Sequence, residues 1–290
     1  MKLARCTDGG APFWALVDSE AGTLAVIGGV FADWGPALTR AIAKGTPDAG
    51  RAALPMTGAT RALDQVRLLA PIEPINRVVV AGANYTKHLA QDFGLETPAQ
   101  PFSFLKAYGA LIGAHDAIRY PALTNELDHE VELVVVVGES PVNRADPLAS
   151  VLGYTVGNDV SARDLQRSGP KGIGMDLFAA KSQDQSTGVG PWIVTRDEFP
   201  GGSPQLRLTL KVNGETRQDS TTAEMTWNVA QLIKFVDERS SFAGGDIMFT
   251  GSPAGVGQGT GKFLHPGDVV EASIEGIGTI SNVVGPKPGV

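Results

Sequence analysis

Residues 13–17 and 23–27 are apolar-rich runs on either side of Asp18-Ser19-Glu20-Ala21-Gly22. Two short apolar runs around a polar loop predict a β-hairpin. Residues 34–43 carry apolar positions at a loose helical period that ends near Gly45, and residues 66–69 read as a further short strand. Pro71-Ile72-Glu73-Pro74 then forms a stiff spacer, because each proline fixes its own backbone angle. The expected organisation is a small N-terminal α+β module over 1–72 and a larger domain over 73–290.

Beyond the spacer the pattern changes. Residues 78–82 (VVVAG) and 133–137 (LVVVV) are unbroken β-branched runs, the signature of strands buried on both faces. Residues 155–160, 192–195, 206–212, 246–250, 269–274 and 279–284 are further strand candidates, most of them bounded by Gly, Pro, Asn or Asp. Helical patterns are few: 86–92, 229–240 and 162–167. Strands that do not alternate with long helices argue against a doubly wound sheet. They predict a mostly β chain with few helices (α+β), built as a barrel or sandwich.

Composition narrows the function classes. The 290 residues carry a net charge of −7, which excludes a basic nucleic-acid-binding surface as the organising feature. One cysteine, Cys6, excludes an intramolecular disulfide framework and any cysteine-based zinc or iron–sulfur site. No apolar stretch approaches the ~18 residues of a membrane span. The N-terminus lacks the apolar core of a signal peptide, so a soluble cytoplasmic protein is expected.

The chemistry concentrates in residues 125–138 (NELDHEVELVVVVG). On a strand, alternation puts Asp128, Glu130 and Glu132 on one face and His129, Val131 and Leu133 on the other. Three acids leading into an apolar strand either form a solvated edge or require a neutralising cation. Oxygen ligands favour Mg²⁺, Mn²⁺ or Ca²⁺ over zinc. Residues 153–166 add a second acidic position: Asp159 ends a predicted strand, as a site residue or as a helix cap. On the short helix after it, Arg163 and Gln166 are i,i+3 neighbours able to face one pocket.

Taken in order, residues 82–88 (GANYTKH), 104–106 (FLK), 130–132 (EVE), 158–166 (NDVSARDLQ), 181–184 (KSQD), 190–192 (GPW) and 250–257 (TGSPAGVG) are specific as a set. Over about residues 75–286 the chain resembles the fumarylacetoacetate hydrolase family, in its small bacterial, acylpyruvase-type branch. The resemblance implies a mixed β-roll or β-sandwich domain, a homodimer, and one Mg²⁺ or Mn²⁺ held by Glu130, Glu132 and Asp159. It implies a small anionic 2-oxo or β-diketo acid as substrate, with Tyr85, Lys106, Arg163, Gln166 and Thr250 around it and Lys181 among the catalytic groups. The glycines of 251–257 are expected to serve turn geometry alone, since the segment lacks the Lys-Ser/Thr of a nucleotide loop.

One departure matters. Hydrolases of the family carry a His-x-x-Glu pair after Asn-Tyr. Here His88 is present and the acid position is Gln91, an amide that cannot accept a proton. Either Asp92, i+4 from His88, replaces the acid, or Gln91 orients a water, or the reaction needs no activated water. The leading expectation is hydrolytic C–C cleavage. The alternatives are isomerisation, tautomerisation or decarboxylation of a 2-hydroxy-diene-dioate or oxaloacetate-like acid, and a metal-binding member with impaired catalysis.

Overall fold

The structure, a computed structural model, describes residues 1–289. The first segment holds β1 (Lys2–Thr7), β2 (Phe13–Asp18), β3 (Thr23–Ile27), helix α1 (Phe31–Ala43), helix α2 (Pro47–Ala52), β4 (Met56–Ala62) and β5 (Arg67–Leu69). The predicted hairpin is β2–β3, with Asp18 opposite Thr23. The sequence pattern passes over β4 because MTGATRA is small, polar and almost wholly exposed.

The spacer is a fastening point as well as a connector. Glu73 Oε1 accepts hydrogen bonds from Trp14 Nε1 at 2.8 Å and from Phe31 N at 2.9 Å. One carboxylate thereby satisfies an indole and an orphan amide of the α1 start.

The rest of the chain contributes β6 (Val78–Gly82), β7 (Phe102–Lys106), β8 (Leu111–Ile112), β9 (Leu127–Asp128), β10 (Val131–Val137), β11 (Val151–Asn158), β12 (Ser161–Ala162), β13 (Thr187–Thr195), β14 (Arg207–Val212), β15 (Glu215–Thr221), β16 (Ile247–Phe249), β17 (Val269–Ile274) and β18 (Gly278–Val283). The main sheet has twelve strands, in the order β4-β3-β2-β1-β13-β11-β10-β16-β6-β7, with β5 on β1 and β8 on β13. A second, four-stranded sheet has the order β15-β14-β17-β18.

The central position of β10 explains its valine run. Leu133, Val135 and Val137 pack into one apolar cluster with Leu208, Leu210 and Ala272 of the smaller sheet. Val134 and Val136 face the opposite cluster, with Trp34, Leu38 and Ile42 of α1. Both faces of β10 are therefore dry, and a strand in that position has no polar face to show. Close approach of α1 is why position 138 is glycine: a Cβ there would meet Thr39 Oγ1 at 1.9 Å. The mostly β α+β architecture is as expected. No helix among the described residues is long and apolar enough to cross a membrane.

Two predicted elements differ in a way that shapes the site. Residues 86–92 are one α-turn (α3, Thr86–His88) that widens into a π-turn over Leu89–Phe93. The acidic segment is not one strand, since β9 ends at Asp128 and β10 begins at Val131.

Candidate active site

β10 and β11 pair antiparallel, with Val131 opposite Asn158 and Glu132 opposite Gly157. Just beyond that register, Asp159 N donates to Glu130 O at 2.8 Å, and Glu130 N donates to Asn158 Oδ1 at 3.0 Å. The strand ends therefore bring Glu130, Glu132 and Asp159 together. All three are buried, and one carboxylate oxygen from each lies within 4.8 Å of the others.

Asp128 is not the fourth member that strand alternation predicts. The break at His129-Glu130 turns it away. It accepts from Gly257 N at 2.6 Å, Gln258 N at 3.0 Å and Arg163 Nε at 2.7 Å. His129 points to the other side, where its Nδ1 lies 3.3 Å from Gln218 Oε1.

Three buried cations face the triad. Lys181 Nζ donates to Glu130 Oε2 at 2.6 Å and to Asp159 Oδ2 at 2.7 Å. Arg163 Nη2 donates to Glu130 Oε1 at 2.5 Å. Lys106 Nζ lies 2.7 Å from Asp159 Oδ1 and donates to Thr187 Oγ1 at 2.8 Å. Burial alone would raise the Glu130 pKa, but the charges of Lys181 and Arg163 outweigh it and hold the carboxyl below its ordinary range. Glu132 lacks such a partner. Burial and the charges of Asp159 and Glu130 push it well above the ordinary carboxylate value. Burial likewise lowers Lys106, against the pull of Asp159.

These features fit a divalent cation. Glu132 is buried beside two other carboxylates with no ion-pair partner among the described residues, and a buried carboxylate of that kind calls for a cation. The donor set is oxygen only, the set hard cations prefer. Glu130, Glu132 and Asp159 are the residues that would hold the ion.

His88 lies on the wall of the adjoining cavity. Its Nδ1 is 2.7 Å from Asp92 Oδ2, and both side chains are buried. The π-turn also swings Phe93, five residues on, against the imidazole: ring centroids are 5.1 Å apart and nearly perpendicular. The other face of that arrangement meets Arg163, whose Cζ is 5.4 Å from the Phe93 ring centroid. An α-helical period does not bring position i+5 beside i, so the sequence pattern gave no signal for Phe93.

The glycine-rich segment does more than turn. Gly251 N donates to Glu132 Oε2 at 2.6 Å, Gly255 N to Asp92 Oδ2 at 3.1 Å, and Gly257 N to Asp128 at 2.6 Å. Its amides cradle three of the protein's own carboxylates, as backbone nests cradle anions. The positive φ values of Gly251 (94°) and Gly255 (106°) are what aim those amides inward.

The cavity has a volume of about 390 Å³. His88, Glu130, Glu132, Asp159, Arg163 and Lys181 line its inner end, with Gln166 beside Arg163. Several expected positions fall outside it. Gln91 is exposed and does not line the cavity. Lys106 lies behind Asp159 rather than on the cavity wall. Thr250 is fully buried, and its hydroxyl donates to Leu133 O at 2.8 Å, so Gly251 and Ser252 form the wall in its place. Tyr85 is also buried behind the wall. Burial and the Glu132 charge push its phenol pKa up.

Comparison with known proteins places the chain in a family. Residues 77–285 match the family described as Fumarylacetoacetate (FAA) hydrolase C-terminal, and residues 1–71 match Rv2993c-like, N-terminal. The chain is 40% identical over 215 residues to 2,4-didehydro-3-deoxy-L-rhamnonate hydrolase of a Sphingomonas species, covering 72% of this chain and 73% of that one. It is 35% identical over 231 residues to the oxaloacetate tautomerase YisK of Bacillus subtilis, covering 77% and 74% respectively. The crystal structure of 2-hydroxyhepta-2,4-diene-1,7-dioate isomerase from Mycobacterium marinum superposes with a TM-score of 0.76 at 33% identity, covering both chains completely (100% of each). The structure of fumarylpyruvate hydrolase from Pseudomonas aeruginosa, in complex with Mn²⁺ and pyruvate, gives a TM-score of 0.66 at 28% identity over 76% of this chain and 92% of that one. With the matched segment spanning β6–β18, the carboxylate triad and the cavity, the chain belongs to the fumarylacetoacetate hydrolase family of enzymes.

Proposed function

We propose that this enzyme hydrolyses a carbon–carbon bond in a β-diketo 2-oxo acid of the acylpyruvate type, with Mg²⁺ or Mn²⁺ as cofactor. The observation that carries the reading is His88, paired with Asp92, on the same cavity as the Glu130, Glu132 and Asp159 triad. Asp92 holds Nδ1 and leaves Nε2 as the ring nitrogen available to a water in the cavity. A bound divalent ion would supply Lewis acidity toward the oxo acid.

His88 takes a proton from water as the hydroxide oxygen adds to the acyl carbonyl carbon. The bond from that carbon to the neighbouring methylene breaks, and its electron pair stays on the 2-oxo acid fragment as an enolate. A proton returned to the methylene carbon gives pyruvate and a carboxylic acid. Lys181, fixed by Glu130 and Asp159, puts positive charge where the enolate develops. Arg163 and Gln166 add donors beside it.

A second reading is keto–enol tautomerisation or decarboxylation of a related 2-oxo acid, which needs the triad and a proton carrier but no attacking water. The name of the Bacillus relative favours it. The test is to incubate the Mn²⁺-loaded enzyme with an acylpyruvate and, separately, with oxaloacetate. Pyruvate release coupled to lactate dehydrogenase reports cleavage, and loss of enol absorbance reports tautomerisation. Tautomerisation or decarboxylation of oxaloacetate without pyruvate from any acylpyruvate would replace the first reading with the second.

A further inference from the structure

The cavity changes character along its length. Phe102, Phe104 and Lys106 are alternate residues of β7 and therefore share one face of the sheet edge. They run from the rim to the triad: Phe102 is 40% exposed, whereas Lys106 is 4% exposed and lies against Asp159. Phe102 and Phe104 line the outer cavity with ring centroids 5.9 Å apart. Leu95, Pro98, Met175 and Leu177 complete that outer wall from two segments, 95–98 and 175–177. Leu95 and Met175 are 58% and 53% exposed, so the apolar wall continues out to the rim of the cavity.

The charges tell the same story. Among the described residues lining the cavity, the cations are Arg163 and Lys181, and both sit at the inner end, paired with Asp128, Glu130 and Asp159. The one charged side chain on the outer wall is Glu96. A second carboxylate at the far end of a substrate would find no counter-ion there, an acid in its place, and aromatic rings that do not solvate it.

We propose that the outer cavity binds an apolar acyl tail, so the preferred substrate is a monoanionic 2-oxo acid with a hydrocarbon end rather than a dicarboxylate. This deepens the cleavage reading and rests on it for the orientation of the substrate, with the oxo-acid end at the triad. The apolar wall and Glu96 set specificity together. The rings reward each methylene they cover, by roughly fourfold in affinity, and Glu96 penalises a distal negative charge.

The experiment uses non-cleavable N-substituted oxamates, in which an N–H replaces the methylene at the scissile bond. Titration calorimetry on the Mn²⁺-loaded enzyme compares N-methyl, N-propyl and N-pentyl oxamate with N-(4-carboxybutyl) oxamate. Affinity should climb with alkyl length, and the carboxybutyl compound should bind at least about tenfold more weakly than the pentyl one. Phe102→Arg, a change at the half-exposed rim, should narrow or invert that preference, and Glu96→Gln should narrow it. Equal or tighter binding of the carboxybutyl compound by the wild type overturns the proposal, as does failure of any oxamate to bind. Acylpyruvate turnover, measured in parallel, separates the two ideas. Alkyl preference without pyruvate release removes the cleavage reading and leaves the tail site standing. Pyruvate release with no alkyl preference does the reverse.

Discussion

Asp92→Asn isolates the acid that the family position at Gln91 lacks. Asparagine keeps the size of the side chain, which matters because Gly259 presses on it so closely that a Cβ there would lie 2.1 Å from Asp92 Oδ1. What changes is charge. The carboxylate oxygen 2.7 Å from His88 Nδ1 also accepts from Gly255 N at 3.1 Å. A neutral amide can still accept there, but it no longer stabilises the imidazolium formed when His88 takes a proton from water. A hydrogen bond to a charged, buried partner contributes about 1.5–3 kcal/mol. At 1.36 kcal/mol per tenfold, that is roughly 10- to 100-fold in rate. The range reaches the lower edge of what a positioned general base contributes, on the order of 10²-fold. We therefore expect kcat on an acylpyruvate to fall on the order of 10²-fold with KM little changed. The assay is coupled pyruvate release, with thermal unfolding of the variant to confirm that it is folded. Gln91→Ala and Gln91→Glu, at an exposed position outside the cavity, should leave kcat within about twofold of wild type. An Asp92→Asn enzyme as fast as wild type refutes the dyad, and an equal loss in Gln91→Ala refutes the placement of the helix.

Four shorter expectations follow. Chelation should abolish turnover and Mg²⁺ or Mn²⁺ should restore it, with Glu132→Ala behaving like the chelated enzyme; full activity in a demonstrably metal-free sample would contradict the triad's role. Asp128→Ala leaves Arg163 buried without one of its two carboxylates, so stability should fall by about 3 kcal/mol or more in chemical denaturation, and a loss below about 1 kcal/mol would show that Arg163 finds another partner. Burial pushes the Cys6 thiol up to about 12, leaving on the order of one thiolate in 10⁴ at pH 8. Native protein should therefore resist a thiol reagent that labels the unfolded chain in full, and stability should decline as alkaline pH ionises the unfolded thiol first. Sedimentation at micromolar concentration should show a homodimer, the state the family resemblance implies; a monomer would count against it.

Much of the fold follows from apolar runs. The valines of β10 and β6 are readable because both faces of a central strand are buried, which leaves no alternation to interpret. β4 and β15 escape that reading for the opposite reason: their residues are small or polar, and they are strands because a neighbour supplies the ladder, not because their side chains demand it. The entry into the acidic strand fails differently. Alternation assumes continuous strand, and His129-Glu130 interrupts it, so Asp128 is sent to the glycine loop and Arg163 while Glu130 and Glu132 stay together.

The site shows where one-dimensional reasoning stops. The run of acids points to Glu130, Glu132 and Asp159 while leaving a solvated edge open, and the family resemblance supplies the ligand set and the places of Lys181 and Arg163. The His88 partner is decided by backbone geometry instead. A turn that widens over Leu89–Phe93 sets the faces that Gln91, Asp92 and Phe93 occupy, and only the first of them ends in solvent. The carboxylate that meets His88 is therefore shifted by one residue from Gln91 along a distorted helix. The glycine loop makes that shift workable, since Gly255 N binds Asp92 and Gly259 leaves room for it. Acid, turn and loop form one device: a carboxylate at position 92 needs the amide of Gly255 and the missing side chain of Gly259 as much as it needs His88.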